Sequence, residues 1–502
     1  MSPFETPVVC AVIGRTRHKM MQAEIDEAAK QGAKFIELRL DFLSKPPDFK
    51  RLLEGRPCPM VATFRRPVDG GQWRASEEQR FMLIRQAIVA GFDFVDLEID
   101  IIDKIPRFGK VQRIVSYHNF QETPENLPAL QHKMAALDAD VVKVATMAHS
   151  PHDCLKALRM MRYSPVPTIA ICMGEIGTPS RILASKFGAP FTYATFHAEK
   201  VMAPGQLSFQ QMQEIYHYDT INRDTEIFGV IADPVSHSLS PLIHNAAFGQ
   251  MKMNRVYVPF RVPREELPQF MADCKELGIK GLSITIPHKE EILHQVDKFD
   301  EPSQQIGAAN TVVWVDNERR AFNTDYKAAM TSIDKAFGGN EDGGSALKGK
   351  SALVLGAGGV ARAIVYGLQR RGADVVIASR TAERADELAS KFHVRSSAWS
   401  LRHTVRPDLL VNCTPVGMHP NLDESPFDQT YLKAGMVVFD TIYNPEQTLL
   451  IKQARENACE VITGVEMFVG QAAHQFRLFT GEDAPAEMMR QVVRRAISAA
   501  KM

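Results

Sequence analysis

The sequence predicts an α/β protein in which a (β/α)8 barrel is followed by a second, two-domain α/β unit. Residues 1–222 alternate between strand-like and helix-like segments eight times, which is typical of a barrel. In the second half, a glycine-rich turn at residues 356–361 joins a strand to a helix, as in dinucleotide-binding domains. A length of 502 residues also favours two or three domains over a single core.

Composition excludes several classes of protein. Lys+Arg and Asp+Glu both number 59, so the net charge is zero and a nucleic-acid partner is not expected. We find no apolar run long enough to span a membrane and no cluster of metal ligands. The seven cysteines form no CxxC pair, which fits a reducing compartment without disulfides. The N-terminus lacks a signal or transit pattern, so we expect a cytoplasmic protein, or a plastid one if a transit segment has been removed.

Eight strands and several intervening helices are predicted for the barrel. The predicted strands are residues 8–14, 34–42, 60–65, 92–99, 112–118, 140–147, 168–173 and 191–197. Helical patterns include residues 19–30, 77–90, 129–137 and 152–161.

Charged side chains are predicted to face the barrel interior. In the second strand, side-chain alternation sends Glu37, Arg39 and Asp41 to the face opposite Leu38. The same alternation turns further polar groups inward on four other strands: Thr63, Arg65, Asp96, Glu98, Ser116, His118 and Lys143. Burying charges is costly unless they pair or take part in chemistry. A structural ion-pair network is the alternative, and it explains one such strand better than five.

Lys143 and His118 indicate Schiff-base chemistry. Lys143 lies between Val142 and Val144, and a desolvated amine is more easily deprotonated and can attack a carbonyl. His118, on the neighbouring strand, is a suitable proton-transfer group. An aldolase and a dehydratase would both use this pair, and the two residues do not distinguish them.

Motifs across residues 7–218 resemble those of type I 3-dehydroquinate dehydratases. They are ELRLD at 37–41, TFR at 63–65, SYH at 116–118, VVKVA at 141–145, SRI at 180–182 and APGQ at 203–206. The resemblance implies that Lys143 forms an imine with the substrate ketone and that His118 is the general acid/base. It implies substrate contacts from Glu37, Arg39, Arg65, Arg181 and Gln206. Two departures are Asp69, where the family has the glutamate that partners the histidine, and Met202, where it has a serine.

A hydroxyl-rich loop opens the second half. The strand-like run 227–232 breaks at Pro234, and Ser236, Ser238 and Ser240 precede a helix that begins near Pro241. Such a loop could hold a polyol or a carboxylate, or it could be ordinary capping.

Lysine and aspartate side chains follow the next strand-like runs, which are residues 256–260, 281–287, 310–315 and 321–323. Lys289 lies four residues after Thr285, and Asn310 and Asp325 each adjoin a strand end. A lysine and an aspartate brought together could share a proton with an alcohol or a ketone. Lys289 by itself would be read as a solvated lysine at a helix start.

Residues 356–361 and the strand that follows predict an NADP site. Glycines in this strand–turn–helix context let the backbone approach a pyrophosphate. The next strand ends at Ser379, and Arg380 and Arg384 follow where an NAD site would carry an acidic residue. Two arginines suit a 2′-phosphate, whereas surface arginines at a helix start are the alternative.

Motifs of residues 226–500 resemble those of shikimate dehydrogenases. They include HSLSP at 237–241, ITIPHK at 284–289, GAANT at 307–311, NTD at 323–325, SRTAER at 379–384 and NCTPVGM at 412–418. The resemblance implies carboxylate binding by Ser238 and Ser240 and a catalytic pair of Lys289 and Asp325. It implies further substrate contacts from Thr285, Asn310, Tyr443 and Gln471. The implied NADP-binding residues are Gly356, Ala357, Gly358, Gly359, Val360, Ala361, Ser379, Arg380, Thr381, Arg384, Thr414, Gly464 and Met467.

Together the two resemblances predict consecutive reactions of aromatic amino-acid biosynthesis. A lyase would convert 3-dehydroquinate to 3-dehydroshikimate, and an NADP-dependent oxidoreductase would reduce that product to shikimate. The predicted domains are the dehydratase at 1–222, the dehydrogenase substrate domain at 226–335 with 465–502, and the Rossmann domain at 345–464. The alternatives are an NAD-linked quinate or shikimate dehydrogenase and a non-catalytic sensor, which the presence of both predicted catalytic pairs disfavours.

Overall fold

Eight parallel strands form a nearly closed barrel in the first part of the chain. The computed structural model describes residues 7–197, 204–339 and 346–499, so Met202 lies outside the described residues. The strands are β1 (Val9–Ile13), β2 (Ile36–Arg39), β3 (Met60–Thr63), β4 (Phe94–Glu98), β5 (Gln112–Asn119), β6 (Val141–Met147), β7 (Thr168–Met173) and β8 (Thr192–Thr195). Each strand from β1 to β6 pairs with the next, β8 pairs with β1, and β7 and β8 are the two ends of the sheet. The α/β barrel predicted from the sequence is therefore confirmed.

Helices connect these strands and cover the outside of the sheet, because each buries an apolar stripe. They are α1 (His18–Lys30), α2 (Phe49–Leu53), α3 (Glu77–Ala90), α4 (Leu127–Ala135), α5 (Pro151–Arg162), α6 (Thr178–Ile182) and α7 (Phe209–Glu214). Ser76 caps α3 by accepting a hydrogen bond from Gln79 N. β2 ends at Arg39, earlier than predicted, because the chain turns into a 3-10 helix at Leu40–Phe42. Asp41 is therefore buried beside the strand end rather than on the strand.

Residues 1–241 and 251–279 form one compact unit, and residues 242–250 and 280–502 form the other. Besides the barrel, the first unit contains the parallel pair β9 (Glu226–Ala232) and β10 (Arg255–Arg261) and the helix α9 (Leu267–Leu277). Helix α9 packs on α5 of the barrel, where His152 Nδ1 lies 2.8 Å from Asp273 Oδ2. A further helix, α8 (Ser240–Gln250), begins directly after the hydroxyl-rich loop.

The second unit contains two groups of strands and at least two separate buried apolar clusters. Its first group is β11 (Ile279–Ile284), β12 (Lys298–Phe299), β13 (Thr311–Val315) and β14 (Glu318–Phe322), with β13 antiparallel to both β11 and β14. The second group consists of β15 (Ser351–Leu355), β16 (Asp374–Ser379), β17 (Arg395–Ala398), β18 (Leu409–Asn412), β19 (Val437–Asp440) and β20 (Glu460–Ile462). These strands form an all-parallel sheet in the order β17-β16-β15-β18-β19-β20. The strand order, which places β15 at the centre, is that of a Rossmann-type domain.

Helices of the second unit bury these clusters from both sides. They are α10 (Glu301–Ile306), α11 (Thr324–Ala336), α12 (Gly359–Arg370), α13 (Ala382–Phe392), α14 (Leu449–Glu456), α15 (Gly464–Thr480) and α16 (Ala486–Ala499). Met330 of α11 and Ile364 of α12 belong to the same buried cluster as Val354 of β15. Helix α15 begins at Gly464, directly after Thr463.

Among the described residues, no helix is long and apolar enough to cross a membrane. The part of the chain that the structure describes also contains no group of three or more His, Cys, Asp or Glu side chains arranged to hold a metal ion.

Candidate functional site

Lys143 lies inside the barrel in a pocket lined by acidic and aromatic groups. Its Nζ donates to Asp96 Oδ2 at 3.0 Å and lies 3.9 Å from Glu37 Oε1. The same amine lies over the ring of Tyr193, 4.1 Å from the ring centroid. Lys143 is 7% exposed. Val142 and Val144 lie at the adjacent positions of the strand, whose side chains point to the opposite face, so acidic groups of neighbouring strands surround the amine, as the alternation predicts.

Asp96 and Arg65 are the centre of a buried ion-pair network. Arg65 donates to Asp96 at 2.6 Å and to Glu98 at 3.1 Å, and Ser116 Oγ donates to Asp96 at 2.6 Å. Although burial acts in the opposite direction, the charges of Arg65 and Lys143 lower the pKa of Asp96 well below its ordinary value. The network therefore fixes a carboxylate next to the amine, and buried ion pairs of the kind given above as the alternative are present.

On the paired strands β5 and β6, Ser116 lies opposite Lys143. His118 therefore lies on β5 two residues further along than the position opposite Lys143. Burial, followed by the positive charges of Arg65 and Lys143, lowers the pKa of His118 well below 6.5. The imidazole is neutral at pH 7 and can accept a proton. Its Nδ1 is buried and has no hydrogen-bond partner among the described residues.

Arg181 carries a buried charge on the other side of the pocket. It lies in α6, directly after the loop that follows β7, and it is 3% exposed. Burial lowers the pKa of Arg181 to about 10. No described carboxylate lies within ion-pairing distance of its guanidinium, and its Nε has no described partner. A buried, uncompensated cation in a pocket is suited to an anionic substrate group.

Backbone packing holds Gln206 near Arg181. Gly205 precedes Gln206 with φ +68°, and a Cβ there would lie 2.0 Å from the carbonyl oxygen of Gly174, in the loop after β7. Gly174 N in turn donates to Pro204 O at 3.0 Å. This close approach brings Gln206 and Arg181 to the lining of one cavity, which also includes Lys143 and His118.

Four other predicted residues line the same cavity, namely Glu37, Arg39, Arg65 and Asp69. Arg39 makes a two-pronged ion pair with Asp41, both bonds at 2.9 Å. Asp69 accepts a hydrogen bond from Arg66 Nε at 2.7 Å, so its carboxylate is engaged by an arginine rather than by His118. Two aromatic residues of this cavity, Tyr193 and Phe120, were not identified from the sequence. The ring of Phe120 stacks on His118, with ring centroids 6.5 Å apart. Tyr193 lies in β8, where an aromatic residue usually indicates core packing, and Phe120 directly follows the end of β5, so no local pattern identified either residue.

The hydroxyl-rich loop is ordered by its own backbone. Ser238 N donates to Val235 O at 3.1 Å, and Ser240 N donates to Ser238 Oγ at 3.3 Å. Ser240 is the first residue of α8, so its N–H lies in the first turn of a helix. Helix N-termini favour anions, which agrees with the predicted carboxylate ligands.

In the second unit, Lys289 Nζ donates to Asp325 Oδ2 at 2.6 Å. The structure thus joins the predicted pair although 36 positions separate the two residues. Asp325 lies in the first turn of α11, not at a strand end, and Asn323 caps that helix by accepting from Tyr326 N. Thr285 likewise follows the end of β11 at Ile284, on the turn that leads to Lys289.

Asn310 and Gln475 form hydrogen bonds that fix the positions of β11 and of helix α11. Asn310 Oδ1 accepts from Thr324 N at 2.8 Å, and Asn310 Nδ2 donates to Thr324 Oγ1 at 2.9 Å. Gln475 Nε2 donates to Asn310 O at 3.0 Å, and its Oε1 accepts from Ser283 Oγ at 2.7 Å. Gln475 was missed from the sequence because its role depends on contacts with residues more than 160 positions away.

The turn after β15 leaves space for a large ligand. Gly356 has φ +105°, and a Cβ on it would approach Cys413 O at 2.9 Å, so that position requires glycine. At Gly358 and Gly359 an added Cβ would meet nothing within 4 Å, and Gly358 is the N-cap of α12. Ala357, Val360 and Ala361 complete this turn, whose open backbone and helix N-terminus fit a pyrophosphate.

Positively charged side chains surround the same cavity. Arg380 and Arg384 are exposed after β16, where Thr381 N donates to Ser379 Oγ, and neither arginine has an ion-pair partner among the described residues. The cavity beside Gly358 and Gly359 is lined by two carboxylates, Glu290 and Glu387, and by three cations, Arg384, Arg362 and Lys391. The last two were not predicted. The arrangement supports a phosphate-rich cofactor.

The remaining predicted residues lie near the ends of β18 and β19. Thr414 donates to Asn412 Oδ1 at 2.7 Å. Tyr443 stacks on Phe468 of α15, with centroids 4.5 Å apart, and burial raises the pKa of Tyr443. Gly464 requires the absence of a side chain, since a Cβ would lie 2.2 Å from Ile442 O. Met467 is buried in the core, and Gln471 donates to Phe468 O.

Comparisons with known proteins divide the chain at the same places. The family described as type I 3-dehydroquinase matches residues 9–223. The shikimate dehydrogenase substrate binding domain matches residues 230–312, the shikimate 5′-dehydrogenase C-terminal domain matches 464–494, and a family described as NADP oxidoreductase, coenzyme F420-dependent, matches 352–442.

Individual relatives extend this similarity to most of the chain. The chloroplastic bifunctional 3-dehydroquinate dehydratase/shikimate dehydrogenase of Arabidopsis thaliana is 36% identical over 97% of this chain and 84% of its own length. The NADP+-dependent shikimate dehydrogenase of Methanopyrus kandleri is 40% identical over 55% of this chain and 97% of its own. The crystal structure of a shikimate dehydrogenase in complex with NADP+ is 36% identical, with a TM-score of 0.51, and covers 55% of this chain and 97% of that one.

Proposed function

We propose that two sites of this chain, which belongs to the family of bifunctional 3-dehydroquinate dehydratases/shikimate dehydrogenases, catalyse consecutive reactions of the shikimate pathway. The barrel dehydrates 3-dehydroquinate to 3-dehydroshikimate, and the second half reduces that ketone to shikimate with NADPH. The observation that carries the proposal is the barrel cavity, in which an ion-paired lysine, a neutral histidine and an unpaired buried arginine converge.

In the barrel, the amine of Lys143 attacks the substrate ketone, and the resulting carbinolamine loses water to give an iminium. The iminium acidifies the adjacent carbon, and His118 removes its proton. Loss of the β-hydroxyl as water, protonated by His118, forms the ring double bond, and hydrolysis returns Lys143 and releases 3-dehydroshikimate. Arg181 binds the substrate carboxylate, while Glu37, Arg39, Arg65 and Gln206 contact its hydroxyls and carboxylate. Asp69 takes the place of the family's acidic partner.

In the second half, NADPH supplies the hydride when bound. Lys289 and Asp325 deliver a proton to the oxygen that develops negative charge as the ketone is reduced. Ser238 and Ser240 bind the carboxylate of the substrate, and Thr285, Asn310, Tyr443 and Gln471 contact the rest of it. Gly358 and Gly359 receive the pyrophosphate, and Arg380, Thr381 and Arg384 bind the 2′-phosphate that distinguishes NADP from NAD.

The domain assignment follows the same proposal. Residues 1–222 form the dehydratase, residues 226–335 with 465–502 form the dehydrogenase substrate domain, and residues 345–464 bind NADP. For location we propose the cytoplasm, with the plastid as the alternative because the Arabidopsis relative is chloroplastic. Fractionation of the source cells distinguishes the two.

One coupled reaction tests both activities. Purified chain is mixed with 3-dehydroquinate and NADPH, and the nicotinamide absorbance is followed. Loss of absorbance that depends on both compounds is expected. If absorbance stays constant while added 3-dehydroshikimate is still reduced, the dehydratase assignment is wrong.

Borohydride trapping tests the role of Lys143 separately. Reduction in the presence of substrate is expected to attach the ligand covalently to the wild-type chain and not to Lys143→Ala, with mass spectrometry as the readout. Equal labelling of both proteins would refute the Schiff-base assignment.

A further inference from the structure

One carboxylate of the barrel contacts the loop that precedes the two serines of the second site. Glu175 lies in the loop between β7 and α6, at the catalytic end of the barrel. Its Oε1 accepts a hydrogen bond from Val235 N at 3.3 Å, and its Oε2 accepts from Arg261 Nη1 at 3.2 Å. Val235 follows Asp233 and Pro234 directly, so this contact lies at the start of the serine loop.

Arg261 connects the same carboxylate to the other side of the loop. It is the last residue of β10, and its Nε donates to Asp233 Oδ1 at 2.8 Å. The guanidinium therefore bridges a carboxylate of the barrel and a carboxylate at the end of β9. One charge-assisted bond, from Arg261 to Asp233, and one hydrogen bond, from Val235 N to the Glu175 carboxylate, reach residues 233–235. The bond from Arg261 to Glu175 joins these two into one network, whereas an isolated surface pair would contribute little.

The constraint continues from Val235 to the serines through backbone hydrogen bonds. Val235 is 4% exposed, and its carbonyl accepts from Ser238 N at 3.1 Å. Ser238 Oγ then accepts from Ser240 N at 3.3 Å. Displacing Val235 would move both serines, because each is tied to the preceding turn by a hydrogen bond.

The barrel end of this chain of contacts is also constrained. Glu175 follows Gly174, whose carbonyl oxygen would lie 2.0 Å from a Cβ on Gly205, and it precedes Gly177, where a Cβ would lie 2.2 Å from Cys172 O. A loop that is held on both sides can act as a fixed support. A mobile loop with the same carboxylate could not.

We propose that Glu175 is a positioning residue for the dehydrogenase, acting through Val235 and Arg261 to hold Ser238 and Ser240 in the geometry that binds a carboxylate. This inference rests on the proposed role of those serines. It assigns a residue of the dehydratase barrel to substrate binding in the other reaction, so the barrel is part of the working dehydrogenase and not only its neighbour along the chain.

Steady-state kinetics of the full-length chain with shikimate and NADP+ test the proposal. Glu175→Ala is expected to raise KM for shikimate about 5- to 10-fold, the loss that one net hydrogen bond of about 1–1.5 kcal/mol implies. We expect kcat and KM for NADP+ to stay within about twofold, because the Lys289–Asp325 pair and the glycine turn are not connected to Glu175 by these bonds. Glu175→Gln keeps an oxygen acceptor for Val235 N and is expected to have a smaller effect.

Two control variants make each outcome decisive. Glu276→Ala removes another ion pair between the barrel and the residues after it, with Arg159, but leaves residues 233–240 untouched, so its KM should match the wild type. Ser238→Ala tests the proposed carboxylate site itself. If Ser238→Ala raises KM for shikimate and Glu175→Ala does not, the positioning role of Glu175 is wrong and the serine assignment stands. The positioning role is also wrong if Glu276→Ala raises KM as much as Glu175→Ala does. If Ser238→Ala has no effect, the serine assignment fails first.

Discussion

Replacing Arg181 with methionine should stabilise the barrel while weakening its substrate binding. Burial lowers the pKa of Arg181 from its ordinary value to about 10. Each step of one in pKa corresponds to about 1.4 kcal/mol, so holding this charge costs folding about 3 kcal/mol. Because the folded pKa lies below the unfolded one, the cost is fully present below pH 10, including pH 7, and it disappears only as pH rises through both values.

Arg181→Met removes that cost and loses some packing, since methionine is shorter. We expect the apparent melting temperature of the barrel to rise by about 3–8 °C. Loss of a charge-assisted pair with the substrate carboxylate, worth about 1.5–3 kcal/mol, should raise KM for 3-dehydroquinate about 10- to 100-fold.

Calorimetry and the absorbance of the enone product measure these two effects. Arg107→Met is a matched control, because Arg107 is paired with Asp138 and Asp140 on the surface and should change neither KM nor, beyond about 1 kcal/mol, stability. A lower melting temperature together with an unchanged KM for Arg181→Met would refute the view that this cation is held for the substrate.

Three further outcomes follow from the geometry. The acid limb of dehydratase kcat/KM should lie below pH 6.5, because burial and nearby positive charges disfavour protonated His118, and a limb centred at or above 6.5 in a pH–rate profile would contradict this. Gly205→Ala should lower the free energy of unfolding by more than about 2 kcal/mol in thermal denaturation, because the added Cβ meets Gly174 O. Gly278→Ala is the control: Gly278 has a similar φ but open space around it, so this variant should cost about 1 kcal/mol. Equal losses for the two variants would show that the clash at Gly205 relaxes. Arg384→Ala should raise KM for NADPH about tenfold without changing that for NADH, and a parallel rise for both cofactors would place this arginine away from the 2′-phosphate.

Periodicity and local motifs were sufficient for most of the architecture. Alternation with period two predicted which residues of the barrel strands face inward, because each strand exposes opposite faces to the helices and to the interior. The glycine turn after β15 was recognisable since only glycine tolerates φ +105° beside Cys413 O. Strand ends were less predictable. Thr285 follows β11 and lies on a turn. Asp325 follows β14 and lies in helix α11, which starts there because Asn323 caps it.

The chemistry of the barrel depended more on tertiary structure. Valines beside Lys143 in the sequence suggested an apolar site, but side chains at adjacent positions of a strand face opposite ways, so the groups that contact the amine come from other strands. Asp96, Glu37 and Tyr193 supply those contacts. The pairing of Asp69 with Arg66 is also a tertiary result, since the motif specifies the residue type and not the direction of its carboxylate.

The sequence by itself determined the order of the two α/β halves, the inward-facing Lys143 and His118, the glycine turn and the arginines after β16. These features arise from local periodicity, turn conformation and motif spacing, each read within a few residues. Only the tertiary structure decided that Arg181 is buried without a described partner, that Lys289 meets Asp325 at 2.6 Å, and that Glu175 contacts the loop before Ser238. Those facts depend on burial and on distances between residues far apart in the chain, which no local pattern encodes.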